Sequence, residues 1–458
     1  MNKAKQPKLG DARWEGTTFD DLLENDTRDI PPFLDESFTF RGVEDSDASI
    51  YTSRQQVELE YQKMWSKVWQ MACRLEDIPN VGDTHIYEIG DWSFLIVRVD
   101  QNTIKAFYNS CLHRGRKLRT KSGNVSRFKC PFHGFTWETN GDFRQAHCEW
   151  DFPQLEGRDM SLPQAKVDTW NGFVFINMDD DCEPLEDYLG ELVEHFKRWK
   201  LDQCTKVVHV VKRMPCNWKI AAEAFMEAMH VEVTHPQIMS FSADINGRYD
   251  TYGDHANRNI TPMASPSPLL KNPPSEQEIL DTLVSDSGRI IDDSDRLMLA
   301  EGQTAREYMA EMGRQAFSAE DGYDYSDATD SEMLDAYTYN LFPNLSPWGG
   351  FPPNITYRWL PDGHDPDSCY MEVMILKRVP KGETPPKACE LLKLTDEQPW
   401  SSVPELDALG PIFDQDMANL PFVQEGLKSS HSKKVILANY QESRIRHFHQ
   451  TLNKYLSA

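Results

Sequence analysis

The chain has 458 residues, 73 acids against 48 lysines and arginines, and a net charge of −25. That length exceeds one hydrophobic core and predicts two or three domains. The charge excludes a nucleic-acid-binding surface, and no stretch nears the roughly 18 apolar residues of a membrane span.

Residues 1–45 are polar, carry Pro31-Pro32, and read as an extended arm or a partly disordered start. From Ser53 a helical spacing begins, with Val57, Tyr61, Met64, Trp65 and Val68 on one face. Alternating runs then predict strands at 85–89, 93–99, 104–108, 135–137 and 173–177, separated by Gly and Asn turns. Residues 184–199 read as an amphipathic helix, 204–214 as a strand and 217–233 as one helix. Between 240 and 340 no clean period survives, although Ile279, Leu283, Leu297 and Leu299 have the spacing of short helices. Strands return at 354–359 and 370–377, and helices at 409–429 and 441–456. The nine cysteines form no disulfide framework. Their odd number and the polar N-terminus fit a reducing cytoplasm.

Two ligand pairs dominate the chemistry. Cys111-Leu-His113 is followed, after sixteen intervening residues, by Cys130-Pro-Phe-His133. Two thiolates on one metal and two imidazoles on another make the ligand set of a Rieske [2Fe–2S] cluster. A Cys₂His₂ zinc site uses the same residue types. The single residue inside the first pair is tight for zinc, and both loops run into glycine, at Gly115 and Gly134.

Downstream stands Glu223-Ala-Phe-Met-Glu227-Ala-Met-His230-Val-Glu-Val-Thr-His235-Pro236. Glu223, Glu227 and His230 share one face of a regular helix. His235 would point about 140° away from His230, so the pair meets one metal only if the helix ends or bulges between them. Val231, Val233 and Pro236 favour such an ending. Two His and a carboxylate with open positions form the facial triad of non-haem Fe(II) oxygenases.

Asn109-Ser-Cys-Leu-His-Arg-Gly and Cys130-Pro-Phe-His-Gly-Phe-Thr-Trp resemble the Rieske domain of ring-hydroxylating oxygenase α subunits, and Asn217-Trp-Lys through His235-Pro236 is similar to that family's iron-site helix. The resemblance implies an α+β chain. It divides into an N-terminal antiparallel-β Rieske domain (46–180) and a C-terminal helix-grip catalytic domain (181–458), with 240–340 as a variable pocket-covering insert. It implies mononuclear Fe(II) on His230, His235 and a C-terminal acid. Asp416 has the family's spacing to Gln424-Glu-Gly-Leu, and Asp414 is the alternative. Glu227 stands where most of the family has Asp, a residue that bridges a cluster His of one subunit to an iron-ligand His of the next. Members acting on small quaternary amines also carry Glu there. Asn217 is either a support for the iron ligands or a helix cap.

The family implies a terminal oxygenase. Its electrons come from NAD(P)H through a separate reductase, with or without a ferredoxin, since no Gly-rich dinucleotide fingerprint is present here. It also implies a homotrimer, with or without a β subunit. Phe225, Met226, Met229, Ile238, Met239, Phe241 and 337–345 are the expected pocket lining, suited to O₂ attack on an aromatic or polycyclic substrate. A methylated amine is the alternative substrate. A non-enzymatic electron carrier and a zinc-stabilised binding protein are the alternatives from other classes. Residues 111–130 hold seven basic side chains and no acid, leaving −32 on the rest, and they form the expected docking region for the electron donor. Residues 276–335 are the opposite pole, with seventeen acids against four arginines.

Overall fold

The strand Ile104–Tyr108 pairs antiparallel with Trp92–Arg98, which pairs with Asp83–Ile89. Phe94, Leu95, Ile96 and Val97 are buried in succession, so this central strand is covered on both faces and shows little alternation. With Gln70–Arg74, Phe173–Asn177, Gln164–Trp170 and Gly123–Asn124 the three build a seven-stranded sheet. A three-stranded sheet, Phe128–Lys129, Thr136–Trp137 and Phe143–Gln145, stands beside it. These positions come from a computed structural model that describes residues 10, 13–286, 296–351 and 354–458.

The second half is organised by an eight-stranded sheet in the order 248–252, 256–261, 336–341, 345–349, 354–362, 365–378, 204–214, 392–394. Every pairing is antiparallel except the last, where Leu392–Leu394 runs parallel to Cys204–Met214. The helix Ser443–Ser457 buries Ile445, Phe448 and Leu452, and it packs against strands 248–252 and 256–261. The chain is therefore α+β, as its motifs imply. Among the described residues no helix is long and apolar enough to cross a membrane.

Three expectations need correction. The arm is ordered where described: Phe19 and Leu34 are buried, and Thr27 and Ser37 bond to Asp330 and Asp250. Residues 1–9, 11 and 12 lie outside the described residues. The stretch 240–340 is more than a cover, because it supplies three strands of the main sheet. Arg248, Asp250 and Arg258 are buried within those strands, so no apolar alternation marks them. The helix expected over 184–199 breaks at Gly190, whose φ of 53° lies in the left-handed region.

The face spaced from Ser53 is buried throughout, along an α-helix Arg54–Glu60 that continues as a π-turn over Tyr61–Trp65. The two halves are tied by charge as well as packing. Arg358, on strand 354–362, donates to the Met71 carbonyl (2.6 Å) and pairs with Glu372, which also meets His209 (2.6 Å). Burial disfavours the Glu372 charge. Arg358 and His209 outweigh it and hold the carboxyl well below the usual carboxylate range. A depressed carboxylate stabilises the fold above its ordinary pKa of about 4.3 and loses that contribution as pH falls below it. Glu372→Gln is expected to cost roughly 3–5 kcal/mol by leaving Arg358 buried and unpaired, read by chemical denaturation at neutral pH.

Candidate metal centres

The first centre is built by two loops of the same shape. The Cys111 N–H donates to the Arg116 carbonyl (2.9 Å) and the Gly115 N–H to the Cys111 carbonyl (2.8 Å). The second loop repeats both bonds, from Cys130 to Phe135 (2.8 Å) and from Gly134 to Cys130 (3.0 Å). Gly115 and Gly134 sit at φ of 74° and 75°, a backbone state that a side chain disfavours. The two thiols lie side by side and buried, and burial together with the neighbouring sulfur raises the Cys111 pKa. The imidazoles of His113 and His133 lie 4.7 Å apart by centroid and reach toward the surface. Nδ1 of His113 is buried with no hydrogen-bond partner, while its ring stacks on Phe135. A sulfur end, an imidazole end and an orphaned ring nitrogen match the donor set of a Rieske cluster.

The second centre depends on a helix that breaks. In place of one helix over 217–233, the chain forms Trp218–Glu223, a turn, and Val231–Thr234. The Ala228 N–H released by the turn donates to the Tyr249 hydroxyl (3.1 Å), and the Glu227 carboxylate accepts the His230 N–H (3.1 Å). The second helix stops just before His235, as required for two histidines five residues apart to converge. Their rings lie 5.2 Å apart by centroid.

Asp416, from the helix Leu409–Met417, completes the group. Its Oδ1 lies 2.9 Å from Nε2 of His235 and 3.7 Å from Nε2 of His230. The three ligand atoms fall within 4.8 Å of one another. Cis ligands about 2.1 Å from a metal stand about 3 Å apart, so one ion fits with small adjustments. Asp414 does not join them, because its oxygens accept the N–H groups of Trp400 (2.7 Å) and Ser401 (3.0 Å).

Both rings are oriented through Nδ1. His230 Nδ1 donates to Glu227 (2.6 Å) and His235 Nδ1 to the Gln415 side-chain carbonyl (2.8 Å), which leaves each Nε2 for a metal. Burial opposes charging of His230. The hydrogen bond and charge of Glu227, with Asp416 and Asp244 behind it, outweigh burial and raise the pKa. Gln415 was not evident from the sequence, where only its place beside Asp416 singled it out. It is itself held by Gln237, whose side-chain N–H donates to its carbonyl (2.7 Å). Gln415→Leu is expected to weaken metal binding roughly 10–100-fold, read by titrating metal-free protein with Co(II).

Other expected residues lie elsewhere. Glu223 turns away from the triad and bonds to Tyr51 (2.7 Å) and His449 (2.8 Å). Asn217 is the cap of helix Trp218–Glu223, accepting from the Lys219 N–H (3.1 Å) and donating to the Pro366 carbonyl (2.9 Å). Beside the triad opens a cavity of about 700 Å³ that Glu227, His230, His235 and Asp416 all line. Phe225, Ile238, Phe241 and Thr338 line it as well. Met226 and Met239 are instead packed in the core, and Met229 is exposed.

A Rieske [2Fe-2S] domain model matches residues 68–156, and the model of the ring hydroxylating alpha subunit catalytic domain matches 191–458. The chain is 32% identical over 191 residues to biphenyl 2,3-dioxygenase subunit alpha of Rhodococcus jostii (strain RHA1), covering 40% of this chain and 41% of that one. It is 29% identical over 211 residues to the carnitine monooxygenase oxygenase subunit of Acinetobacter pittii (strain PHEA-2), covering 44% and 54%. The chain thus spans about half or less of the length of these curated relatives. In three dimensions it superposes on naphthalene 1,2-dioxygenase with indole bound (TM-score 0.64, 18% identity, 92% of this chain and 93% of that one). It also superposes on the quaternary ammonium Rieske monooxygenase CntA with L-carnitine (TM-score 0.63, 18% identity, 92% and 99%). With a Rieske [2Fe–2S] domain ahead of a catalytic-domain match that spans more than half of its length, the chain belongs to the ring-hydroxylating oxygenase alpha-subunit family, whose catalytic domain binds mononuclear iron.

Proposed function

We propose that the protein is the terminal oxygenase of a multicomponent system that hydroxylates a hydrophobic ring substrate. In this reading Cys111, His113, Cys130 and His133 hold the cluster, and His230, His235 and Asp416 hold iron. The observation that carries it is the cavity beside the triad. Among the described residues none that lines it is Lys or Arg, and Phe225, Phe241, Trp348, Tyr357 and Phe413 supply aromatic surface. An apolar pocket with few polar groups selects a neutral ring compound by burial. Iron at the triad supplies O₂ activation when bound. The chain's own residues orient both histidines through Nδ1 and aim each Nε2 at the shared point, and the apolar wall shields that side of the cavity.

A second reading is hydroxylation or demethylation of a methylated amine. Glu227 lines the same cavity as the rings, and a carboxylate among aromatic faces suits a cation. Both readings take electrons from NAD(P)H through a separate reductase, alone or with a ferredoxin, and both place cluster and iron of neighbouring copies together in a trimer.

The donor's proposed docking face is a cleft of about 450 Å³ near the cluster, lined by Arg116, Arg119, Lys121, Arg127 and Lys129 and by no acid. Lys117, by contrast, pairs with Glu88 (2.6 Å). Reversing Arg116 and Arg127 to Glu is expected to slow reduction of the cluster by its donor and flatten the salt dependence, read by stopped-flow. Unchanged kinetics would remove the docking role.

The function is tested by metal and sulfide analysis of anaerobically purified protein, followed by turnover with a surrogate reductase. About three irons and two sulfides per chain, with hydroxylated product from biphenyl or naphthalene, is the expected result. Product from a trimethylamine alone would favour the second reading, and zinc without sulfide would overturn both.

A further inference from the structure

Three buried polar side chains interrupt the apolar wall that the main sheet presents to the cavity: Asn259, Thr261 and Thr338. Two of them satisfy each other. The Thr261 hydroxyl donates to Asn259 Oδ1 (2.9 Å), and Asn259 Nδ2 donates to the Arg248 carbonyl (3.3 Å). Thr338 is only 6% exposed, and among the described residues its hydroxyl has no protein partner. Directly opposite it in the strand register stands Trp348, another lining residue, whose buried indole N–H is also unpartnered. A buried polar group without a partner costs about 1–3 kcal/mol. The Thr338 hydroxyl, at the cavity wall, thus leaves a gap that an acceptor oxygen would fill.

The register also places this gap relative to the metal residues. Tyr357 marks the metal end, since it contacts Phe413 of the Asp416 helix (ring centroids 5.9 Å). Strand 354–362 is followed in the sheet by 345–349 and then by 336–341, which carries Thr338. Two strand spacings and the two-residue offset between Trp348 and Ser346 put Thr338 roughly 12 Å from Tyr357. A molecule reaching both is longer than one ring.

Resting on the ring-hydroxylase reading, we infer that the substrate is an oxygen-bearing multi-ring compound. Its hydroxyl or carbonyl oxygen accepts from Thr338 at the end away from the metal triad, and Thr338 determines specificity for it. Among the described residues no lining Lys or Arg provides a counter-ion, while Glu227, Asp407 and Asp416 line the same cavity, so the oxygen belongs to a neutral phenol or ketone and not to a carboxylate. A site that hydrogen-bonds its ligand rejects the analogue lacking the polar group, because the protein donor is then left unpaired.

The test compares binding of biphenyl and 4-hydroxybiphenyl to the cluster- and iron-loaded protein, its Thr338→Val variant, which keeps the side-chain shape without the hydroxyl, and Thr338→Ser, which keeps the hydroxyl. Expected are a roughly tenfold preference for the hydroxylated ligand in the wild type and in Thr338→Ser, and its loss in Thr338→Val. Equal binding of both ligands to all three proteins would overturn the inference and leave water as the partner of Thr338, with the ring-hydroxylase reading intact. Failure of either ligand to bind any of the three, with full iron and sulfide content, would overturn the ring-substrate reading and this inference with it.

Discussion

Asp416→Ala is expected to remove the mononuclear metal and spare the cluster. Iron should fall from about three to about two per chain with sulfide unchanged, and turnover should drop by more than the roughly 10–100-fold that follows loss of a ligand's outer partner. The reason is geometric. Asp416 is buried, and among the described residues its Oδ1 is the one carboxylate oxygen that reaches Nε2 of both His230 and His235. Without it the two imidazoles hold a divalent ion by two bonds. Asp414→Ala is the internal control, since Asp414 anchors the Trp400 and Ser401 amides. That variant should lose about 1–3 kcal/mol of stability and keep its iron. Iron and sulfide analysis with the reduced-cluster EPR signal checks both. Full iron in Asp416→Ala would put the third ligand elsewhere.

Cys130→Ser is expected to have the complementary effect. Cys130 and Cys111 are buried within one apolar cluster with Phe128, Phe135 and Trp137. A serine hydroxyl is a poor substitute for thiolate on iron, and in that setting it is also a desolvated polar group. Sulfide and the reduced Rieske signal should vanish. His230, His235 and Asp416 should still take up one Co(II) per chain, because no residue of theirs is disturbed. Retention of sulfide would show that Cys130 is not a cluster ligand, and zinc in its place would revive the Cys₂His₂ zinc reading.

The residues differ in how far the sequence revealed them. The strands at 104–108, 173–177 and 204–214 keep their expected bounds, because Gly, Asn and the end of an apolar run punctuate them locally. Strands 248–252 and 256–261 were hidden, since Arg248, Asp250 and Arg258 are buried by bonds to Leu34, Ser37 and Phe33 of the distant N-terminal arm. The helix expected over 217–233 breaks because one tertiary and one local contact outbid propensity: Tyr249 captures the Ala228 amide, and Glu227 captures His230 three residues on. Glu223, spaced to share the Glu227 face, is drawn away by His449 and Tyr51 from opposite ends of the chain.

The sequence alone determined the elements whose chemistry is local. These are the paired Cys-x-His and Cys-x-x-His loops with their glycines, the two histidines at a helix end before Pro236, and the charge poles at 111–130 and 276–335. Ligand spacing and formal charge are written along the chain, so they survive without a fold. Tertiary structure decided which of Asp414 and Asp416 meets the histidines, that Gln415 orients His235, and that Thr338 faces the cavity without a partner. Each of those depends on atoms more than a hundred residues apart being brought within a few ångströms. No periodicity encodes such a meeting; only packing of the helix 409–417 and the sheet around the broken helix produces it.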